Sequence, residues 1–190
     1  MHLFLASQSP RRRELLDQIG VAFEPLDVSI DETPEMAESP RDYVRRVARE
    51  KAGAGLLQVA AVPGALVLGA DTEVVLDGIV FGKPVDAADA TRMLRLLSGR
   101  THRVISAVAL VSGGREAETV SESEVRFASI DEQEIAAYIA TGEPFGKAGA
   151  YAIQGRGATF VAHLSGSFSA VMGLPLHETA GLLRGFGFAV

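Results

Sequence analysis

The order of apolar and polar residues along the chain predicts an alternation of strands and helices. Residues 1–6 are mostly apolar, as in a short buried strand. Ser9 and Pro10 then indicate the start of a helix, because serine is a favoured N-cap and proline a favoured first helical residue. Leu15 and Leu16 begin the face of this helix that we expect to be buried.

A second helix is predicted from Ser39 as its N-cap. Tyr43, Val44 and Val47 form its apolar face, and Lys51 continues the same spacing. Lys51 is therefore predicted to lie on the buried side. A lysine in that position either extends outward along its aliphatic stem or points into a cleft.

Residues 65–76 form an almost continuous apolar run, and Asp77 and Gly78 predict a hairpin turn into a partner strand over 79–81. Asp71 falls in the middle of this strand. An unpaired buried carboxylate costs several kcal/mol, so Asp71 must be paired, protonated or bound to a metal. Glu73 has the same parity and either shares its surroundings or lies further along the edge.

The remaining pattern predicts a mixed sheet in an α/β fold, because hairpins occur between helical crossovers. The predicted elements are a helix over 86–97, strands over 102–111 and 116–127, a helix over 131–141, a strand over 158–164 and a helix over 175–184. No repeat or linker interrupts the chain. We therefore predict that residues 1–190 form a single domain.

Composition excludes several classes of protein. The chain has 190 residues, of which 47% are hydrophobic and 22% charged, and none is cysteine, so disulfides and thiol chemistry are excluded. No apolar run approaches the ~20 residues of a membrane-spanning helix, and no signal-peptide pattern precedes the first strand. We expect a cytoplasmic protein with no membrane contact. The net charge of -6 argues against a stable nucleic-acid complex.

Local positive charge stands out against this acidic background. Arginines occupy positions 11–13, in the first turn of the predicted helix, where the macrodipole disfavours each cation by about 0.3–1 kcal/mol. With the Ser7 and Ser9 hydroxyls and the free backbone N–H groups, they could form a cradle for polyphosphate. The alternative is a capped surface helix with solvated arginines. Lysine is rare, and any of Lys51, Lys83 and Lys147 could serve to bind a phosphate oxygen.

Common nucleotide-binding and hydrolase motifs are absent. Gly146, Lys147 and Ala148 lack the remaining residues of a Walker motif, and Gly155-Arg156-Gly157 lacks the context of a dinucleotide fingerprint. The four histidines show no metal-ligand spacing, and no serine lies in a nucleophile elbow. The predicted phosphate site is therefore of another kind.

Seven segments in order resemble the Maf family of nucleoside triphosphate pyrophosphatases. These segments are LASQSPRRRELL, REKA, GADTEVVLDG, GKP, LSGRTHRVISAVAL, KAGAYAIQG and GLPLHET. The resemblance covers essentially the whole chain. It implies an elongated, two-lobed, inosine-triphosphatase-like fold with a central cleft, a homodimer and a divalent cation. The implied reaction is hydrolysis of a nucleoside triphosphate to the monophosphate and pyrophosphate.

The resemblance also implies roles for single residues. Ile153-Gln154-Gly155 is similar to the branch that acts on dTTP and UTP. Asp71 matches the proton acceptor of the family. Residues matching positions linked to substrate choice are Arg11, Thr72 and Gln154, and those matching the polar lining of the cleft are Lys51, Lys83 and Glu32.

Chemical reasoning extends these implied roles. Mg²⁺ or Mn²⁺ would bind phosphate oxygens together with Asp71 and Glu32, since hard cations prefer oxygen ligands. Asp71 could act as base or as ligand. The amide of Gln154 suits the imide edge of thymine or uracil. The expected substrate-binding residues are Ser7, Ser9, Arg11, Arg12, Lys51, Thr72, Lys83 and Gln154.

Three other functions remain open at this point. A pyrophosphatase for 7-methyl-GTP would share the phosphate-binding residues and differ in the base pocket. A non-catalytic nucleotide-binding regulator, for example of cell division, would bind the nucleotide without turnover. A nucleic-acid binder using the arginine-rich helix is disfavoured by the acidic total charge.

Overall fold

The computed structural model describes residues 1–190 and contains one seven-stranded mixed sheet with six α-helices. The strands are β1 (His2–Ala6), β2 (Glu24–Leu26), β3 (Ala65–Leu76), β4 (Ile79–Phe81), β5 (Thr101–Ser112), β6 (Arg115–Phe127) and β7 (Val161–Ser165). The helices are α1 (Pro10–Gln18), α2 (Pro40–Gln58), α3 (Ala87–Leu97), α4 (Glu132–Ile139), α5 (Phe168–Met172) and α6 (Leu176–Gly185). The predicted α/β class with a mixed sheet is confirmed.

The sheet has the strand order β2-β1-β3-β5-β6-β7, and β4 pairs with β3. β1 runs parallel to β2 and β3, whereas the pairs from β3 to β7 are antiparallel. The parallel pairs follow helical crossovers, and the antiparallel β3–β4 and β5–β6 pairs follow tight turns. Strand β3 lies in the centre and pairs along ten residues with β5.

One face of β3 packs against α2. Successive side chains of a strand point to opposite faces, and Val75 of β3 joins Val44, Val47 and Ala48 of α2 in one buried cluster. α2 comes very close to the strand at Gly69. A Cβ at Gly69 would overlap the Ala48 carbonyl and lie 2.6 Å from the Ala52 nitrogen.

The opposite face of β3 carries two separate hydrophobic clusters. Leu66 and Leu68 pack under α1 and α6 at one end of the strand. Val74 and Leu76 pack under α3 and α4 at the other end. Thr72 lies between the two clusters on this face. The two-lobed shape stays a prediction.

Most predicted elements are confirmed, with four corrections. Strand β2 and helix α5 were not predicted, because each has only three to five residues. The predicted strand over 158–164 begins instead at Val161, because Arg156–Phe160 is a 3-10 helix. Ser9 precedes α1 as predicted, but its side chain makes no capping hydrogen bond. Asp131 caps α4 with a full capping box, but that helix ends at Ile139 rather than at 141.

No helix of this protein combines the length and the apolar character that crossing a bilayer requires.

The close approach at Gly69 generates a first prediction. Gly69→Ala should lower the free energy of unfolding by at least about 1–3 kcal/mol, because the added methyl group forces α2 away from β3. Gly53→Ala, in the α2 helix that packs against Gly69, is the control. Its Cβ meets no atom within 4 Å, so replacing a helical glycine should stabilise the protein by about 0.5–1 kcal/mol. Urea unfolding of both variants measures the difference, and equal stability of the two would contradict this account.

Candidate active site

The centre of the site is a gap in the pairing of one edge of β3. β1 pairs with β3 as far as Gly69, and β4 begins its pairing at Val74. Residues 70–73 are paired only with β5 on the other edge. Side chains from both faces of β3 can therefore reach the space that opens at this gap.

A cavity of about 580 Å³ lies at the gap. This is within the ~300–1,000 Å³ that is usual for small-molecule sites. Its charged lining consists of the basic residues Arg11, Arg12, Lys51, Lys83 and Lys147 and the acidic residues Glu32, Asp71 and Glu73. The cavity thus carries an excess of basic groups in a protein with a net charge of -6.

Lys51 of α2 joins two of the acids. Its Nζ lies 2.9 Å from Asp71 Oδ1 and 2.9 Å from Glu32 Oε1. The side chains of Lys51 and Asp71 are 13% and 8% exposed, so this pair is largely shielded from water. Asp71 Oδ2 is also buried and has no hydrogen-bond partner. Lys51 therefore holds one oxygen of Asp71 and leaves the other available.

The other two acids differ in their electrostatic surroundings. Burial opposes ionisation of Glu32, but the hydrogen bond from Lys51 and the positive charges around it together outweigh burial and lower the pKa of Glu32. Burial, and then the negative charge of Asp71, raise the pKa of Glu73 to about 8. The cavity therefore contains one carboxylate that is stabilised as an anion and one that is not.

Arg12 connects α1 to the opposite face of β3. It is buried and donates from Nε to the Gly173 carbonyl at 2.9 Å, and from its terminal nitrogens to Ser7 Oγ at 3.2 Å and Thr72 Oγ1 at 3.4 Å. The Thr72 hydroxyl lies 2.8 Å from Ser106 Oγ. Gly173 has a φ of +127°, which favours glycine there. This network fills the polar space between the two hydrophobic clusters.

Three other basic groups have no ion-pair partner. Arg11 is half-buried in the first turn of α1, and Lys83 and Lys147 lie on loops at the cavity. Burial, and then the positive charge of Arg11, lower the pKa of Lys147. The backbone N–H groups of Arg11 and Arg12 also have no carbonyl partner. An anion bound here would relieve the repulsion between cations and use the free donors.

One wall of the cavity is aromatic and apolar. Tyr151 is buried, and its hydroxyl lies 2.9 Å from His102 Nε2. The His102 ring packs edge-on against Phe127 with 4.9 Å between the centroids. Gln154 is exposed at the rim, and Phe145 lies nearby in the lining. This part of the cavity can accept a flat, partly polar group.

Comparison with known proteins identifies the family. The family model described as Maf-like protein matches residues 2–186. The chain is 59% identical over 187 residues to "dTTP/UTP pyrophosphatase" from Xanthomonas euvesicatoria pv. vesicatoria, covering 97% of this chain and 98% of the relative. It is 54% identical over 197 residues to "dTTP/UTP pyrophosphatase" from Aromatoleum aromaticum, covering 98% and 96%. The chain belongs to the Maf family. The resemblance stated from its motifs is confirmed.

A solved "Nucleoside-triphosphatase / dITP/XTP pyrophosphatase" from Mycobacterium abscessus ATCC 19977 / DSM 44196 covers 100% of both chains, at 18% identity and a TM-score of 0.49. Similarity at this level does not establish the fold or the function of this Maf protein. The predicted relation to inosine triphosphatases stays a prediction.

The Maf protein brings all its predicted site residues to the same cavity, which is lined by Ser7, Ser9, Arg11, Arg12, Glu32, Lys51, Asp71, Thr72, Lys83 and Gln154. Their availability differs. Arg12, Ser7 and Thr72 already bind one another, so the predicted cradle is partly a fixed support. Arg11 and Gln154 have no such partners. The roles of all these residues stay predictions.

Sequence reasoning left some lining residues of the Maf protein outside the predicted site. The scarcity of lysine pointed to Lys147, and strand parity pointed to Glu73, but neither was assigned a role. Nothing in the sequence indicated Phe145 or the Gly173 carbonyl. Both reach the site through loop geometry, which periodicity does not report.

The cavity carboxylates of the Maf protein can supply only part of the ligand set of a divalent cation. No group of three or more histidine, aspartate or glutamate side chains is arranged to enclose an ion. The buried Asp71 Oδ2 nevertheless lacks a partner, and Glu32 shares the Lys51 ammonium group with Asp71. One or two carboxylates plus phosphate oxygens are typical Mg²⁺ ligands. These carboxylate donors fit a divalent cation whose remaining ligands are water or phosphate oxygens.

His102 generates a prediction about pH. Burial lowers the pKa of His102 to about 4, whereas an unfolded histidine titrates near 6.5. Below about pH 6.5 the unfolded state binds a proton on this histidine that the folded state does not bind. The free energy of unfolding therefore falls as the pH drops from 6.5 to 4. His102→Gln should be less stable than the parent at pH 7.5, and the gap should narrow by up to about 3 kcal/mol toward pH 4.

Urea unfolding at a series of pH values measures this gap. His163→Gln, at an exposed position of β7, is the control for replacing a histidine and should be close to the parent in stability at pH 7.5. A constant gap between the parent and His102→Gln would contradict the buried neutral imidazole.

Proposed function

We propose that this Maf protein is a nucleoside triphosphate pyrophosphatase that hydrolyses dTTP and UTP to the monophosphate and pyrophosphate. The observation that carries the proposal is the buried Lys51–Asp71 pair beside basic groups without acidic partners, in one cavity of nucleotide size. The names of the relatives from Xanthomonas and Aromatoleum support the choice of substrate.

Binding of the triphosphate is assigned to the cavity cations that have no ion-pair partner inside the protein. Arg11, Lys83 and Lys147 would compensate the roughly four negative charges of the substrate. The Ser9 hydroxyl and the first-turn N–H groups of α1 would donate to phosphate oxygens. Arg12 acts mainly by holding Ser7 and Thr72 in place.

The chemical step is attack of water on the α-phosphorus. The new bond joins the water oxygen to phosphorus, and the bond from the α-phosphorus to the bridging oxygen breaks, with its electron pair leaving on pyrophosphate. We assign the proton of the water to Asp71 Oδ2, the oxygen that Lys51 leaves available. Lys51 orients the Asp71 carboxylate before the reaction through its hydrogen bond to Oδ1.

A divalent cation, Mg²⁺ or Mn²⁺, would be held by Asp71 and Glu32 together with substrate oxygens, and it would supply charge neutralisation at the phosphates. Asp71 would serve either as a ligand of the cation or as the base, because an oxygen that binds a divalent cation is a weaker proton acceptor.

Base selection is assigned to Gln154. Its amide has one acceptor and two donor hydrogens, and nothing in the protein binds them. Thymine and uracil present a carbonyl beside an N–H, which this amide can match.

The predicted single domain over 1–190, the homodimer and the cytoplasmic location stay predictions.

Asp71→Asn tests the catalytic assignment. The amide keeps the shape of the side chain but accepts no proton, so pyrophosphate release from dTTP and UTP with Mg²⁺ should fall by about 10²–10⁴-fold. Asp17→Asn on the exposed side of α1 is the matched control and should retain full activity. Unchanged turnover in Asp71→Asn would remove this mechanism. A parent that binds dTTP without releasing pyrophosphate would instead indicate a non-catalytic regulator.

Gln154→Ala tests the base assignment. Loss of the paired amide should lower kcat/KM for dTTP and UTP by about 5–150-fold, equivalent to about 1–3 kcal/mol, and change CTP and 7-methyl-GTP less. The exposed Gln133→Ala on α4 is the control. The measurement is pyrophosphate release from all four triphosphates with and without Mg²⁺. A parent that prefers 7-methyl-GTP would reject the proposed specificity.

A further inference from the structure

Glu73 is a buried acid for which the proposed reaction has no role so far. It is 9% exposed, lines the cavity and lies opposite Ile105 of β5 at the gap in the edge of β3. It makes no hydrogen bond or ion pair, and its Oε2 is shielded from solvent without a partner. A buried polar group without a partner is rare in folded proteins and points to a missing ligand.

No basic group of the protein forms an ion pair with Glu73. Lys51 is occupied by Asp71 and Glu32, and Lys83 forms no ion pair with Glu73, although the positive charge of each acts on it. The nearby Tyr43 hydroxyl donates to the Glu32 carbonyl at 2.9 Å and is not available. Glu73 therefore places a second carboxylate beside Asp71 with no cation between them.

The position of Glu73 defines what could bind. Asp71 and Glu73 are two residues apart on the same face of a strand, so their Cα atoms are separated by about 6.6 Å and their side chains point the same way. Each has one buried oxygen without a partner, Oδ2 in Asp71 and Oε2 in Glu73. Two buried carboxylate oxygens without partners, on residues that line a cavity for polyphosphate, suit a hard divalent cation.

We propose that Glu73 is a ligand of the divalent cation, and that Glu73 Oε2 and Asp71 Oδ2 together form a cation site already present in the nucleotide-free protein. The inference rests on the proposed function for its phosphate partner but not for the site itself. Glu73 takes the position beside Asp71 that Glu32, bound to Lys51 and 45% exposed in its side chain, fills less well. The cation then neutralises the two acids before the substrate adds further negative charge.

Mn²⁺ binding to the nucleotide-free protein tests the proposal. Titration of Mn²⁺ followed by electron paramagnetic resonance should give an affinity for Glu73→Gln at least about tenfold weaker than for the parent, since loss of even an outer-shell partner often costs 10–100-fold. Asp71→Asn should be weakened similarly. Glu124→Gln, at an exposed position of β6 in the same sheet, is the matched control and should bind as the parent does.

Thermal unfolding provides a second readout that does not depend on activity. Glu73→Gln should be about as stable as the parent without metal, because it replaces one buried polar group without a partner by another of the same shape. The increase in Tm on adding Mn²⁺ should be smaller in this variant than in the parent. A folded Glu73→Gln with the parent's Mn²⁺ affinity, or a parent that binds no Mn²⁺ without nucleotide, overturns the proposal.

Pyrophosphate release from dTTP by the parent separates the two proposals. If Mn²⁺ binding depends on Glu73 but the parent releases no pyrophosphate, the cation site stands and the proposed function fails. If the parent hydrolyses dTTP while Glu73→Gln binds Mn²⁺ normally, the proposed function stands and Glu73 is not a ligand.

Discussion

The site depends on one buried ion pair, between Lys51 on α2 and Asp71 on β3. The pair forms because α2 lies almost against the strand, which only the missing side chain of Gly69 permits. A buried carboxylate without a partner is strongly destabilising, so the helix that supplies the lysine is bound to the strand that carries the acid. The packing of one face of the sheet and the geometry of the cavity thus have the same cause.

On the opposite face of β3, a polar space between two hydrophobic clusters has to be filled. Its two hydrophobic clusters leave a polar space between them, and Arg12 fills that space with hydrogen bonds to Ser7, Thr72 and the Gly173 carbonyl. This network joins the first turn of α1 to the loop after α5. Because a buried guanidinium must satisfy its donors, the network fixes the two cavity walls relative to each other.

The remaining basic groups of the cavity have no acidic partner in the protein. Arg11, Lys83 and Lys147 have no ion-pair partners. The basic residues on the outer face of α2 are different, since Arg41, Arg45 and Arg49 pair with glutamates of β6. The fold therefore neutralises these three arginines of α2 with its own glutamates and leaves the cavity cations without an acidic partner.

The sequence by itself determined the local elements and the identity of the family. Proline and serine at helix starts, the Asp77-Gly78 turn and the burial of Asp71 all follow from short-range pattern, and the motifs identified the Maf family. Tertiary structure alone decided which of the polar groups are committed and which are free. Arg12 meets Gly173 across 161 residues, and Glu73 finds no partner at all, because such contacts depend on how helices cross the sheet and not on periodicity along the chain.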